Sequence, residues 1–199
     1  KDDIILLVNQ SKFYLENGDE INAINVLKNA YAVVNEKTNL RYINILANAL
    51  YDSKLYEEAS ILLRKISNID SNAPTFDSNN KQLLNTYIKL HQYDRALEIC
   101  SILRPLIPEN DQLAEIETHI HERTGNLEAA YKAYTEYFRY RNDDWEMFVR
   151  FAGLNLRMGN LVELDSFLNS EIDHNKLDIE TSKYLAQLLV NYFHKIQSI

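Results

Sequence analysis

Few side chains in this chain have the types and spacing that chemistry needs. His119-Ile120-His121-Glu122 sets two imidazoles beside a carboxylate, a donor set suited to zinc. Zinc-protease helices place their two His at i and i+4. Here they are two apart, and on a helix such residues point to different faces, so they cannot share a metal. They read as ordinary helix histidines. Asp143, Asp144 and Glu146 could act as paired carboxylates. Their place at the start of an apolar helical run suits capping better, where acidic groups meet the positive end of the helix dipole. Cys100 falls on the apolar face of a helix and reads as a small buried hydrophobe. As the only cysteine it forms no intramolecular disulfide. No glycine-rich phosphate loop, nucleophile elbow or metal-spaced cluster occurs. The sequence therefore points away from an enzyme and implies no cofactor and no metal.

Composition narrows the remaining classes. With 29 Asp and Glu against 21 Lys and Arg, the net charge is −8. Nucleic-acid affinity comes mainly from clustered Lys and Arg, so no nucleic-acid partner is expected. No apolar run reaches the roughly 18–20 residues that span a bilayer. Only 4 Gly and 3 Pro occur in 199 residues, which disfavours loop-rich all-β folds. The chain opens Lys1-Asp2-Asp3 without a Met or a signal-peptide pattern, so it is expected to be a fragment of a longer protein.

The elements that would position any site are helices, and they recur. Leu83, Leu84, Tyr87 and Leu90 make one apolar face. His91-Gln92 breaks it, and Tyr93, Ala96, Leu97, Cys100 and Leu103 make the next. Small or apolar anchors of such second helices lie at Ala23, Ala59, Ala96, Ala130 and Leu164, spaced 36, 37, 34 and 34 residues apart. A turn precedes each: Asn17-Gly18-Asp19, Ser53-Lys54, His91-Gln92, Thr124-Gly125-Asn126 and Met158-Gly159-Asn160. Upstream of each turn the period of three and four predicts a first helix. Its apolar residues are Leu7 and Tyr14 in the first unit, Ile43, Leu46, Ala47 and Leu50 in the second, and Phe148, Phe151 and Ala152 in the fifth. Residues 68–80, rich in Ser, Asn and Asp and containing Pro74, read as a long exposed loop. Tyr131, Tyr134, Tyr137, Phe138 and Tyr140 lie mostly on one helical stripe and read as core, with one or two left over as partner contacts.

The motifs YEEA at Tyr56–Ala59, YDRA at Tyr93–Ala96 and GNLEAA at Gly125–Ala130, with Pro108 between units, resemble the tetratricopeptide repeat (TPR) family, whose unit is about 34 residues of helix-turn-helix. The resemblance covers nearly the whole chain. It implies an all-α fold, a right-handed α-solenoid of about five TPR-like helix-turn-helix repeats plus a C-terminal helix. As one repeat domain over 1–199, the repeats run 4–38, 40–73, 77–110, 111–144 and 145–177, with a terminal helix over 179–197. That last helix is a sixth first-helix in register with no second helix after it. The chain departs from the family at Leu7, Ile43 and Asn80, where a bulky aromatic is usual, and at Leu164 in place of Ala.

The resemblance further implies that the first helices line a groove for an extended peptide or a helix. Its expected partner-binding residues are Asn44, Asn48 and Tyr51 from the second repeat, Lys81, Asn85 and Lys89 from the third, and His119 and Arg123 from the fourth. An Asn amide both donates to and accepts from a peptide backbone whatever its sequence. Some family members clamp the C-terminal carboxylate of a chaperone. Lys81, Asn85 and Arg150 occupy three of those five positions, but Ile116 and Glu146 occupy the other two, so that clamp is not expected. The function implied is a non-enzymatic protein-protein interaction scaffold that binds a peptide or protein partner. The alternative is a sensory, regulatory or periplasmic assembly segment of a larger bacterial signalling or envelope-export protein.

Overall fold

In a computed structural model, residues 3–69, 76–107, 111–141 and 144–160 are described, with isolated positions beyond them. The helices over these residues are α1 (Asp3–Glu16), α2 (Glu20–Ala32), α3 (Leu40–Asp52), α4 (Tyr56–Ile69), α5 (Phe76–Lys89), α6 (Tyr93–Leu103), α7 (Asp111–Thr124), α8 (Leu127–Tyr140) and α9 (Trp145–Met158). No strand occurs among the described residues. The chain divides into two compact units, Lys1–Ile107 and Pro108–Ile199. In the first, α1 packs on α2, α3 on α4 and α5 on α6, while α3 also meets α1 and α2, and α5 meets α4. In the second, α7 packs on α8 and α8 on α9. At 11 to 14 residues each, these helices are too short to hold alone in water, so burial of one stripe on a neighbour must stabilise them.

Each hairpin turns in the same way. Among the described residues φ is positive at Gly18, Lys54, His91, Gly125 and Gly159, one residue per turn, at the spacing of the anchors. The amide that follows each returns to the carbonyl five residues back: Asp19 to Tyr14 at 2.9 Å, Leu55 to Leu50 at 2.8 Å, Gln92 to Tyr87 at 2.9 Å, Asn126 to His121 at 3.0 Å and Asn160 to Asn155 at 3.0 Å. This is the Schellman closure of a helix C-terminus, which satisfies orphan carbonyls and needs a left-handed residue. Glycine adopts that conformation without strain, whereas Lys54 and His91 carry a Cβ against it. Side-chain caps then start the next helix: Asp19 accepts from the Asn22 amide at 3.1 Å and Asn126 from the Ala129 amide at 3.2 Å.

The anchors Ala23, Ala59, Ala96 and Ala130 are fully buried, which is why they are small: the first helix of each pair crosses there. Ile43, Leu46, Ala47 and Leu50, and Phe148, Phe151 and Ala152, are buried as their spacing predicts, and Cys100 is buried. Two expectations are corrected. Helix α5 begins at Phe76, inside the stretch read as loop, and Asn79 and Asn80 are buried. They continue backwards the stripe of Leu83, Leu84 and Tyr87, so a helical face is built with polar residues that a composition-based reading assigns to a loop. In α1 the buried residues are Ile4, Val8 and Ser11, whereas Leu7 and Tyr14 are only half-buried. Leu164 and the terminal helix over 179–197 lie outside the described residues.

Candidate functional site

The left-handed turn residues fix a register, and the expected groove residues fall into rows within it. Counting back from Lys54 and His91, Asn44 corresponds to Lys81, Asn48 to Asn85 and Asp52 to Lys89. Counting back from Gly125, His119 and Arg123 of α7 hold the same positions relative to their own turn as Asn85 and Lys89 do to theirs. Residues four apart on one helix share a face, so Lys81, Asn85 and Lys89 form one stripe along α5, and Asn44, Asn48 and Tyr51 one along α3. Asn48, Lys81, Asn85, Lys89 and Arg123 are exposed, whereas Asn44, Tyr51 and His119 are half-buried. Six of these residues belong to the first compact unit and two to the second.

Two positions differ in character from plain surface groups. The Asn44 side-chain oxygen is sealed from solvent without a hydrogen-bond partner, so it faces packing and presents no acceptor to a ligand. The Tyr51 ring lies edge-on to Tyr56, centroids 5.4 Å apart, at the end of α3. Its hydroxyl pKa is raised, first by burial and then by Tyr56 and Asp52, so it stays a donor at neutral pH.

In the second unit the polar side chains are engaged with one another. Glu122 accepts from Arg150 Nη2 at 2.5 Å and from the Tyr134 hydroxyl at 2.8 Å. Arg123 Nε donates to His119 Nε2 at 2.9 Å, and Arg150 Nη2 approaches His119 Nδ1 at 3.4 Å. The imidazole thus lies between two guanidinium donors, Arg123 at Nε2 and Arg150 at Nδ1. The His119 pKa is lowered, first by burial and then by the Arg123 and Arg150 guanidiniums, against the opposing pull of Glu122 and Glu115. The Arg150 pKa is raised: burial, the largest single effect, lowers it, but the hydrogen bond to Glu122 together with the charge interactions with Tyr134, Glu122 and Glu146 outweighs that. Burial, then the bond to Glu122, pushes the Tyr134 hydroxyl above its ordinary range. Arg150 therefore has its charge met within the fold, a second reason beyond Ile116 and Glu146 against a carboxylate clamp.

Sequence reasoning named Glu122 and Arg150 separately and missed their pairing. The signal was available: the register sets Arg150 and Glu122 on neighbouring first-helices, an acid and a base between two turns. The aromatic run is largely core, as expected. Tyr134 and Tyr137 are buried and Tyr131 and Phe138 half-buried, while Tyr140 is exposed with its hydroxyl on Glu136 at 2.8 Å. Tyr137 donates to Asp144 at 2.6 Å, and Asp144 also caps α9 through the Met147 amide at 3.2 Å. Among the described residues no group of three or more His, Cys, Asp or Glu could hold a metal ion. Nor is any of their helices long and apolar enough to cross a membrane.

Paired helices, buried small anchors and a left-handed closure repeated at 36, 37, 34 and 34 residues define a tetratricopeptide-type helical-repeat fold. No protein-family model and no curated protein matches the chain. Among solved structures it is similar to MamA, a TPR-like protein. A double mutant of MamA RS-1 has a TM-score of 0.59 at 16% identity over 96% of this chain and 97% of that one. MamA AMB-1 has a TM-score of 0.60 at 14% identity over 93% and 91%. MamA from residue 41 to its end, from Desulfovibrio magneticus RS-1, has a TM-score of 0.56 at 16% identity over 100% and 97%. At such identity the likeness concerns the fold.

Proposed function

We propose that the chain is a non-enzymatic scaffold that binds an extended peptide or a partner protein on the faces of its first helices. The observation that carries this reading is the repetition of exposed Asn48 and Asn85 at one register position, flanked on α5 by Lys81 and Lys89. Exposed amides repeated at one position give a peptide backbone donors and acceptors without demanding a side-chain sequence. The lysines would favour an acidic segment at that end. In the second unit His119 and Arg123, hydrogen-bonded to each other, are the candidate contacts of that unit considered by itself.

The test is a peptide array probed with wild type, Asn48→Ala and Asn85→Ala. Each variant is expected to lose about tenfold in affinity for the peptides that wild type retains, the order expected for one interfacial hydrogen-bonding group. Unchanged retention by both would move the site off these faces.

A further inference from the structure

The second unit holds a histidine between two guanidiniums. His119 of α7 faces Arg123 of its own helix at Nε2, 2.9 Å away, and Arg150 of α9 at Nδ1, 3.4 Å away. A neutral imidazole has one ring nitrogen that accepts, and an imidazolium has none. The ring therefore satisfies one guanidinium when neutral and repels both when protonated. The two arginines are held differently. Arg150 is half-buried, and the Glu122 that accepts from it also accepts from the Tyr134 hydroxyl of α8 at 2.8 Å. Arg123 is exposed in the last turn of α7, with its Nε on the ring. The carboxylates near the ring are those of Glu122 and Glu115, and burial together with the two guanidiniums outweighs them. A proton arriving on His119 therefore displaces Arg123, the less anchored of the two. His121 lies two residues on, on another face of the helix and beside Glu117, and takes no part.

We propose that His119 gates the α7 face by protonation: the imidazolium drives the Arg123 side chain outward, and the two cations then bind the carboxylates of an acidic partner segment. This rests on the reading of His119 and Arg123 as partner contacts, and adds when they engage and with what chemistry. The proton adds one positive charge to the face and releases a guanidinium, whose planar fork meets a carboxylate at two points. Arg150 stays with Glu122, so the excess charge is that of Arg123 and His119. The ring takes up its proton below its ordinary value of 6.5. Glutamates of the partner, with an ordinary value of about 4.3, are still largely ionised there. An acidic segment on the face in turn favours the imidazolium, so binding and proton uptake are linked.

The experiment titrates a dye-labelled polyglutamate peptide with the whole chain by fluorescence anisotropy, at about pH 7.5 and about pH 5, on either side of the ordinary imidazole value. NMR of the His119 ring and of the Arg123 Nε–H runs beside it, and circular dichroism at both pH values checks that each variant is folded. Affinity is expected to rise about tenfold on acidification, the order of one added charge contact. The Arg123 Nε–H signal should shift with the same midpoint as the ring. His119→Gln, uncharged throughout, should bind equally at both pH values, and Arg123→Gln should lose the acid-enhanced part. Three results overturn the gate and leave the peptide-binding reading standing: affinity that does not change with pH, an enhancement that survives His119→Gln, or an Arg123 signal unmoved as the ring titrates. A polyglutamate that binds at neither pH also overturns the proposal, while the peptide array decides the wider reading separately.

Discussion

Single residues in this chain carry two kinds of tension, steric at the turns and electrostatic in the second unit. Lys54 sits in the left-handed region with φ of 61°, where an L side chain costs roughly 1–2 kcal/mol and glycine does not. Glycine costs about 0.5–1 kcal/mol more in chain entropy, so Lys54→Gly is expected to stabilise by up to about 1.5 kcal/mol, read as a higher denaturant midpoint. His91 is a poorer choice, because its Nδ1 lies 2.9 Å from the Tyr93 hydroxyl and glycine would lose that contact. His119 gives a pH dependence. Its pKa in the fold is lowered from 6.5, so the unfolded chain takes up the proton first as pH falls. The stability it contributes is complete above about pH 6.5 and is lost as pH drops through the lower folded value. His121 is shifted the same way, by burial. The melting temperature should therefore fall on acidification below about pH 6.5, and His119→Gln should flatten that slope. An unchanged slope would mean that the ring does not face the two guanidiniums in solution. The histidines themselves, two apart on one helix, were legible in the sequence. That His119 meets Arg123 on one side and Arg150 on the other was not, because Arg150 is 31 residues away.

At the scale of elements, the repeated turn and the caps decide where each helix begins and ends. Asp144 is the clearest case. Its carboxylate caps α9 and accepts from the buried Tyr137 hydroxyl, tying the start of one helix to the end of the one before. Asp144→Ala removes a cap worth ~1 kcal/mol and leaves a buried hydroxyl unpaired at a further ~1–3 kcal/mol. A loss of about 2–4 kcal/mol in unfolding free energy is expected by denaturant titration, with Asp144→Asn keeping most of the cap. Equal losses for Ala and Asn would assign the effect to charge instead. The capping role of Asp144 followed from its position before an apolar run. The start of α5 did not follow from composition. Asn79 and Asn80 continue the buried stripe of α5 because their backbone is held by the same helical period as Leu83 and Tyr87, and α4 covers that helix. Tertiary cover overrode a local preference for loop. The half-buried Leu7 and Tyr14 show the converse. They flank the buried stripe of α1, which Ile4, Val8 and Ser11 fill.

At the scale of the molecule, the proposed peptide-binding faces follow from the shared register of the first helices. Asn48 and Asn85 stay exposed at one register position of α3 and α5. The repeat, its period, the buried Ala anchors and the absence of enzyme motifs were determined by the sequence alone. A period of three and four with a small residue every 34 to 37 positions suits paired helices that pack closely at the small residue. Only the tertiary structure decided which polar side chains point outward and which are bonded inside. Periodicity assigns a residue to a face of its own helix, whereas burial depends on what the next helix brings to that face. That dependence separates Phe151, enclosed by α8, from Phe13, three residues from its register equivalent yet open to solvent on α1.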